Sequence, residues 1–186
     1  GRVATDLRVS LTDRCNLRCS YCMPPEGLDW LPGTEVLTDD EIVRLITIGV
    51  ERLGIKTVRL TGGEPLLRKN LELLVADISA LSPLPDIALT TNVIGLAARA
   101  EKLAAAGLKR INVSLDTLDP DTFTTMSRRR RLPDVLAGIT AAREAGLQPV
   151  KINTVLLRGV NDHEAFDLLQ WAMAEQVQLR FIEQMP

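Results

Sequence analysis

All three cysteines of the 186-residue chain lie in one stretch, CNLRCSYC, from Cys15 to Cys22. Cys15, Cys19 and Cys22 form a C-x3-C-x2-C pattern. Thiols this close do not pair without strain, and pairing leaves one over, whereas as thiolates they can converge on one metal centre. A structural zinc site asks for four ligands. The one histidine, His163, is far along the sequence. Three thiolates with an open fourth position suit a [4Fe–4S] cluster whose unique iron takes an outside ligand. A zinc site completed by a partner, or three unrelated thiols, are the alternatives that the spacing leaves open.

Three further sets of residues carry chemical potential. TGGEP (61–65) contains Gly62, Gly63 and Glu64, and glycines let a backbone approach a ligand closely. Standing alone, the same letters describe a β-turn equally well. Arg8, Arg59 and Lys151 are basic residues inside otherwise apolar runs, LRVSLT, TVRLTG and VKINTV. A buried charge is costly unless paired, so each is either in a salt bridge, with Glu64 or Asp116 for example, or a ligand for an anion. Ser114 ends INVS, where a serine by itself more commonly bonds local backbone.

These residues need a scaffold, and the chain alternates strands and helices to provide one. Strands are predicted at 7–12, 57–62, 86–91, 110–115, 150–155 and 178–183, short and rich in Val, Ile and Leu as parallel strands covered by helices are. Thr38 to Glu41 reads as a capping box opening a helix that Gly54 stops. Further helices are expected at 69–81, 96–106, 134–145 and 163–175, with a short one opened by Asp119-Pro120. Repeated β-α-β units imply a parallel α/β sheet, either doubly wound or barrel-like. A full eight-stranded barrel takes about 250 residues. The expectation is one domain over 1–186, an incomplete (β/α)6 TIM-like barrel open on one side. Ligands in such folds sit at the C-terminal ends of the strands. The cysteines and TGGEP both follow strands directly.

CNLRCSYC after the first strand resembles the cysteine motif of the radical S-adenosylmethionine (SAM) superfamily. The resemblance implies that the three cysteines hold three irons of a [4Fe–4S] cluster while SAM chelates the fourth. It implies SAM contacts at Tyr21, Gly62, Gly63, Glu64, Ser114 and Met185. The ordered set DLRVSLTDRCNLRCSYCMP, VRLTGGEPLLR, LTTN, INVSLD, VKINTV and RFIEQMP narrows this to the MoaA family, the GTP 3′,8-cyclases of molybdenum-cofactor biosynthesis. That resemblance implies reductive cleavage of SAM to a 5′-deoxyadenosyl radical, abstraction of the GTP ribose 3′ hydrogen, and (8S)-3′,8-cyclo-7,8-dihydro-GTP as product. It implies GTP contacts at Arg8, Arg59, Thr90 and Lys151, with Asn153 and Arg180 as further candidates. A reductant protein and a downstream molybdopterin-pathway enzyme are the implied partners. Another radical SAM enzyme, peptide-modifying or activating, and a non-enzymatic zinc-binding module are the competing readings.

Two features depart from the family pattern. Val93 stands where TTNG has its glycine, and a β-branched residue is strained there if the position needs positive φ. The family also continues into a segment with three more cysteines, a second [4Fe–4S] cluster that binds guanine, and further arginines for GTP. That segment is not among the 186 residues, so the chain is expected to be truncated and unable to complete the reaction alone. It is also expected to expose apolar surface that favours a homodimer. The net charge of −2 gives no pull toward nucleic acid or anionic membrane. No apolar run approaches the ~18 residues of a membrane span. GRVATDLRVS has no apolar secretory core, so a cytoplasmic protein with reduced thiols is expected.

Overall fold

The computed structural model describes residues 3–184. Its strands are β1 (Asp6–Ser10), β2 (Thr57–Thr61), β3 (Asp86–Thr91), β4 (Arg110–Ser114), β5 (Val150–Val155) and β6 (Gln178–Ile182). All pair in parallel, in the order β1-β2-β3-β4-β5-β6. A doubly wound sheet reverses its strand order at a switch point. This order never reverses, so the sheet is the incomplete barrel, with β1 and β6 as its open edges.

The helices are α1 (Asp39–Leu53), α2 (Leu71–Ser79), α3 (Ala100–Ala106), α4 (Pro120–Ser127), α5 (Leu132–Glu144) and α6 (Ala165–Ala174). The capping box forms as expected: the Glu41 N–H donates to Thr38 Oγ1 (3.3 Å), and the Thr38 N–H donates to Glu41 Oε2 (2.8 Å). Asp119 caps α4 by accepting from the Thr122 N–H at 2.7 Å. The helix expected over 96–106 is instead broken at Arg99, whose φ of −128° separates a 3-10 turn from α3. The cause is tertiary. The Arg99 guanidinium reaches across to the Leu66 carbonyl (2.6 Å) and to Glu72 Oε1 (2.6 Å).

Strand alternation divides the sheet into two unlike faces. Val58, Leu60, Ile87, Leu89, Ile111, Val113 and Ile152 are fully buried in the core that the helices cover. The alternate positions carry Arg8, Ser10, Arg59, Thr61, Thr90, Asn112, Lys151 and Asn153. Helix cover therefore applies to one face only, and the inner face is polar. In register, Arg8 lies beside Arg59, Asn112 beside both Thr90 and Lys151, and Asn153 beside both Ser114 and Arg180.

Candidate active site

The loop after β1 crosses the C-terminal ends of the strands and carries the cysteines. It is held from two sides. On one side lies the TGGEP turn: the Gly63 N–H donates to the Thr12 carbonyl (2.7 Å) and the Glu64 N–H to the Arg14 carbonyl (2.8 Å). A Cβ on Gly63 would lie 2.6 Å from the Asp13 carbonyl oxygen, so glycine is needed for the two backbones to touch. On the other side lies the end of α4, where the Met126 and Ser127 carbonyls accept from the N–H groups of Ser20 (2.8 Å) and Arg18 (3.0 Å).

Glu64 is 1% exposed, and protein donors occupy its carboxylate. Oε1 accepts from the Leu66 N–H (2.9 Å) and Thr91 Oγ1 (2.7 Å), and Oε2 from the Asn92 N–H (2.7 Å). Burial raises its pKa while these donors oppose the shift. The side chain thus braces the end of β2 to the end of β3. From that brace Asn92 extends its amide to Asn16 Oδ1 (2.7 Å) and to within 4.0 Å of Cys15 Sγ. Tyr21 donates its hydroxyl to Asp116 Oδ2 (2.7 Å), and Asp116 Oδ1 accepts from the Val155 N–H (2.8 Å). Neither carboxylate is paired with a strand cation.

Cys15 and Cys19 are half-buried and Cys22 is exposed. Burial pushes the Cys15 thiol up, and it pushes Cys19 up to about 12, with Asp116 and the two other cysteines adding to the rise. Three thiolates here repel one another and the neighbouring carboxylates, so a cationic centre is what makes them stable together. The Leu17 N–H points at Cys15 Sγ from 3.5 Å, a contact that supports a thiolate ligand. Among the described residues no three His, Cys, Asp or Glu side chains are gathered as a preformed single-ion cage. Three thiols carried on one loop are the donor type that an iron–sulfur group takes.

The strand cations lie on the open inner face. Arg8 is exposed, and Arg59 and Lys151 are partly exposed. Among the described residues neither they nor Arg180 have an ion-pair partner. This corrects the picture of charges buried in apolar strands and paired with Glu64 or Asp116. Lys151 has its pKa lowered by desolvation and then by the positive charges of Arg180, Arg110 and Arg59. Arg8, Ser10, Thr61, Gly62 and Gly63 line a cleft of 540 Å³ against the β1 edge. Ser114 is exposed at the end of β4, and Thr90 is half-exposed near the end of β3. Asn112 Nδ2 and Asn153 Oδ1 are buried on the same inner face with no hydrogen-bond partner. Met185 lies outside the described residues.

Val93 has φ of 56° and is fully buried. The left-handed conformation that suits a glycine is therefore held by a valine. Space for it comes from Gly138 in α5, where a Cβ would lie 2.9 Å from Val93 Cβ. Sequence reasoning did not identify Asn92, Asn112 or Arg128, and it took Asp116 only as a salt-bridge partner. Asn92, Arg128 and Asp116 make contacts that join segments far apart in the chain, and Asn112 matters by the face it lies on, neither of which the local sequence states.

The comparisons with known proteins agree with this geometry. The chain is 66% identical over 186 residues to the GTP 3′,8-cyclase of Streptomyces coelicolor, covering 100% of this chain and 54% of that protein. It is 57% identical to the GTP 3′,8-cyclase of Paenarthrobacter nicotinovorans, covering 52% of it. The chain thus spans about half the length of these curated relatives. Its fold resembles Streptococcus suis SuiB bound to S-adenosylmethionine (TM-score 0.77, 19% identity, 98% of this chain and 41% of that one). It also resembles the methylornithine synthase PylB (TM-score 0.75, 19% identity, 100% of this chain and 55% of that one). The family described as "Radical SAM superfamily" matches residues 9–172, from β1 through the cysteine loop to α6, and the chain belongs to that superfamily.

Proposed function

We propose that the chain is the SAM-binding core of a GTP 3′,8-cyclase of molybdenum cofactor biosynthesis. The observation that carries the assignment to a nucleotide triphosphate is the inner face of the sheet. There Arg8, Arg59, Lys151 and Arg180 lack ion-pair partners among the described residues. Unpaired cations on an open polar face suit a polyanion. The identity to GTP 3′,8-cyclases supports GTP as that polyanion.

Cys15, Cys19 and Cys22 are the ligands for a [4Fe–4S] cluster. Held there, such a cluster would supply the one electron for reductive cleavage of SAM to methionine and a 5′-deoxyadenosyl radical, which would abstract the GTP 3′ hydrogen before C3′ bonds to C8. The chain's own residues hold and orient. Gly62, Gly63, Tyr21, Ser114 and Met185 are the SAM contacts, and Glu64 acts through the turn it braces. Arg8, Arg59, Thr90 and Lys151 are the GTP contacts. The unpartnered amide atoms of Asn112 and Asn153 add one donor and one acceptor to the face that receives it. A second cluster, a reductant protein, a downstream pathway enzyme and a homodimer belong to the same reading. Apolar surface on α6, at Phe166 and Met173, supports the self-association.

The test is anaerobic reconstitution of the full gene product with iron and sulfide, then reduction with SAM and GTP deuterated at C3′. The expected result is 5′-deoxyadenosine carrying deuterium. Unlabelled 5′-deoxyadenosine, no SAM cleavage, or stoichiometric zinc in place of iron overturns the reading.

A further inference from the structure

The arginine run at 128–131 has no role in the SAM and GTP contacts above. Its four members do different things. Arg131 pairs with Asp134 at 2.6 Å, Arg129 bonds the Arg128 carbonyl at 2.9 Å, and Arg129, Arg130 and Arg131 are exposed. Arg128 alone among the four is half-buried. Its Nη1 donates to the Arg18 carbonyl (2.9 Å) and to the Met23 carbonyl (3.2 Å). Arg18 precedes Cys19 and Met23 follows Cys22. One guanidinium therefore ties both ends of the turn that carries two of the three cysteines.

The backbone at this position sharpens the point. Arg128 caps α4 with φ of 56° and ψ of 27°, its N–H donating to the Thr124 carbonyl. Glycine is the usual residue at such a left-handed cap, because it has no Cβ to clash. A side chain that occupies the position despite that cost has contacts that offset it. A similar arrangement holds the first cysteine, where Arg18 Nη1 donates to the carbonyls of Cys15 (2.7 Å) and Leu17 (2.8 Å). Arg18 in turn lies over the Trp30 ring, 5.3 Å from its centroid.

We propose that Arg128 is a positioning residue of the cysteine turn. It pins the carbonyls on either side of Cys19–Cys22 so that the two thiols are presented together before and during cluster binding. The inference rests on the reading of these cysteines as iron–sulfur ligands, and one arm of its test does not.

The test compares the chain with R128G, R128K and R129A, the last an exposed neighbour. R128G keeps the left-handed cap without a Cβ, so its thermal midpoint and circular dichroism stay close to those of the parent. In metal-free chains, hydrogen exchange of the amides of residues 18–23 is expected to quicken about tenfold in R128G, as for loss of a charge-assisted hydrogen bond. R128K restores part of the protection and R129A changes nothing. After reconstitution, R128G is expected to hold less than half the parent's iron. The reduced-cluster electron paramagnetic resonance of what remains is expected to be broadened, with partial rescue in R128K. Unchanged exchange in R128G overturns the clamp. Slowed-turn protection lost with iron content and spectrum intact overturns its link to the cluster. A parent chain that takes up no iron under the same conditions overturns the iron–sulfur reading, while the exchange arm still decides the clamp.

Discussion

The two faces of the sheet are made by the same strands, yet they do different work. The outer face buries Val58, Leu60, Ile87, Leu89 and Ile111 completely. The inner face, one residue out of phase, carries Arg8, Arg59, Thr90, Asn112 and Lys151. Packing on one side supplies the stability that lets the other side hold like charges close together. The cations raise the free energy of the empty fold slightly, and a bound anion would recover it.

The contrast is broken most severely from the outer side. Leu89→Ala is expected to cost about 3 to 5 kcal/mol in denaturant unfolding, through lost burial and a cavity. Arg59→Ala, on the neighbouring strand but facing inward, should stay within about 0.5 kcal/mol of the parent. A large loss for Arg59→Ala would mean that the inner face is structural after all. Next in size is the contact between the turn after β3 and α5. Gly138→Ala places a methyl against Val93 and should cost about 1 to 3 kcal/mol by overpacking. Val93→Gly removes the side-chain part of that clash but keeps the Val93 carbonyl, which a Cβ on Gly138 would meet first, so the pair should recover only part of the loss in a double-mutant cycle. Simple additivity would show that Gly138 does not accommodate the valine.

The inner face is tested by binding. Lys151→Ala or Arg8→Ala should weaken inorganic tripolyphosphate binding by about fivefold each, near 1 kcal/mol, in calorimetry at low salt. Equal affinity in parent and variants would remove the polyanion site. The smallest effect is in pH. Burial and the cations around it depress Lys151, so it loses its proton below the ordinary lysine range, and tripolyphosphate binding should weaken there. For stability the sign is opposite. The folded state disfavours the charged form, so this residue's contribution improves as pH rises from the folded pKa to the unfolded one. Lys151→Arg should flatten both trends in titrations followed by calorimetry and thermal melting.

The strands were legible because Val, Ile and Leu cluster in runs bounded by Gly, Pro and Asp. The capping box at Thr38 and the Asp119-Pro120 start were legible because capping is local chemistry. The break at Arg99 was not, since its cause lies in α2 and the turn before it, about thirty residues earlier in the chain. The polar inner face was half-legible. Leu7-Arg8-Val9-Ser10 and Val58-Arg59-Leu60-Thr61 alternate with period two, but the apolar content of the runs pointed to strands buried on both sides. The three cysteines stand out by their spacing, which by itself leaves iron–sulfur and zinc readings open. Their supports do not: Tyr21 meets Asp116 across 95 residues, and Arg128 meets Met23 across 105.

Strand order equal to chain order has a consequence for how the protein reaches its structure. Each new strand docks beside the one made just before it, so no edge must wait for a distant partner to be threaded in. Each pairing still spans a whole crossover, the longest running from Ser10 to Thr57, so closure costs entropy and parallel pairing is slow even though each strand docks beside its predecessor. The cysteine loop belongs to the first unit, but α4, which supplies Ser127 and Arg128 to it, arrives only after β4. The cysteine loop is therefore early in the chain yet takes part of its support from a segment that comes late in it.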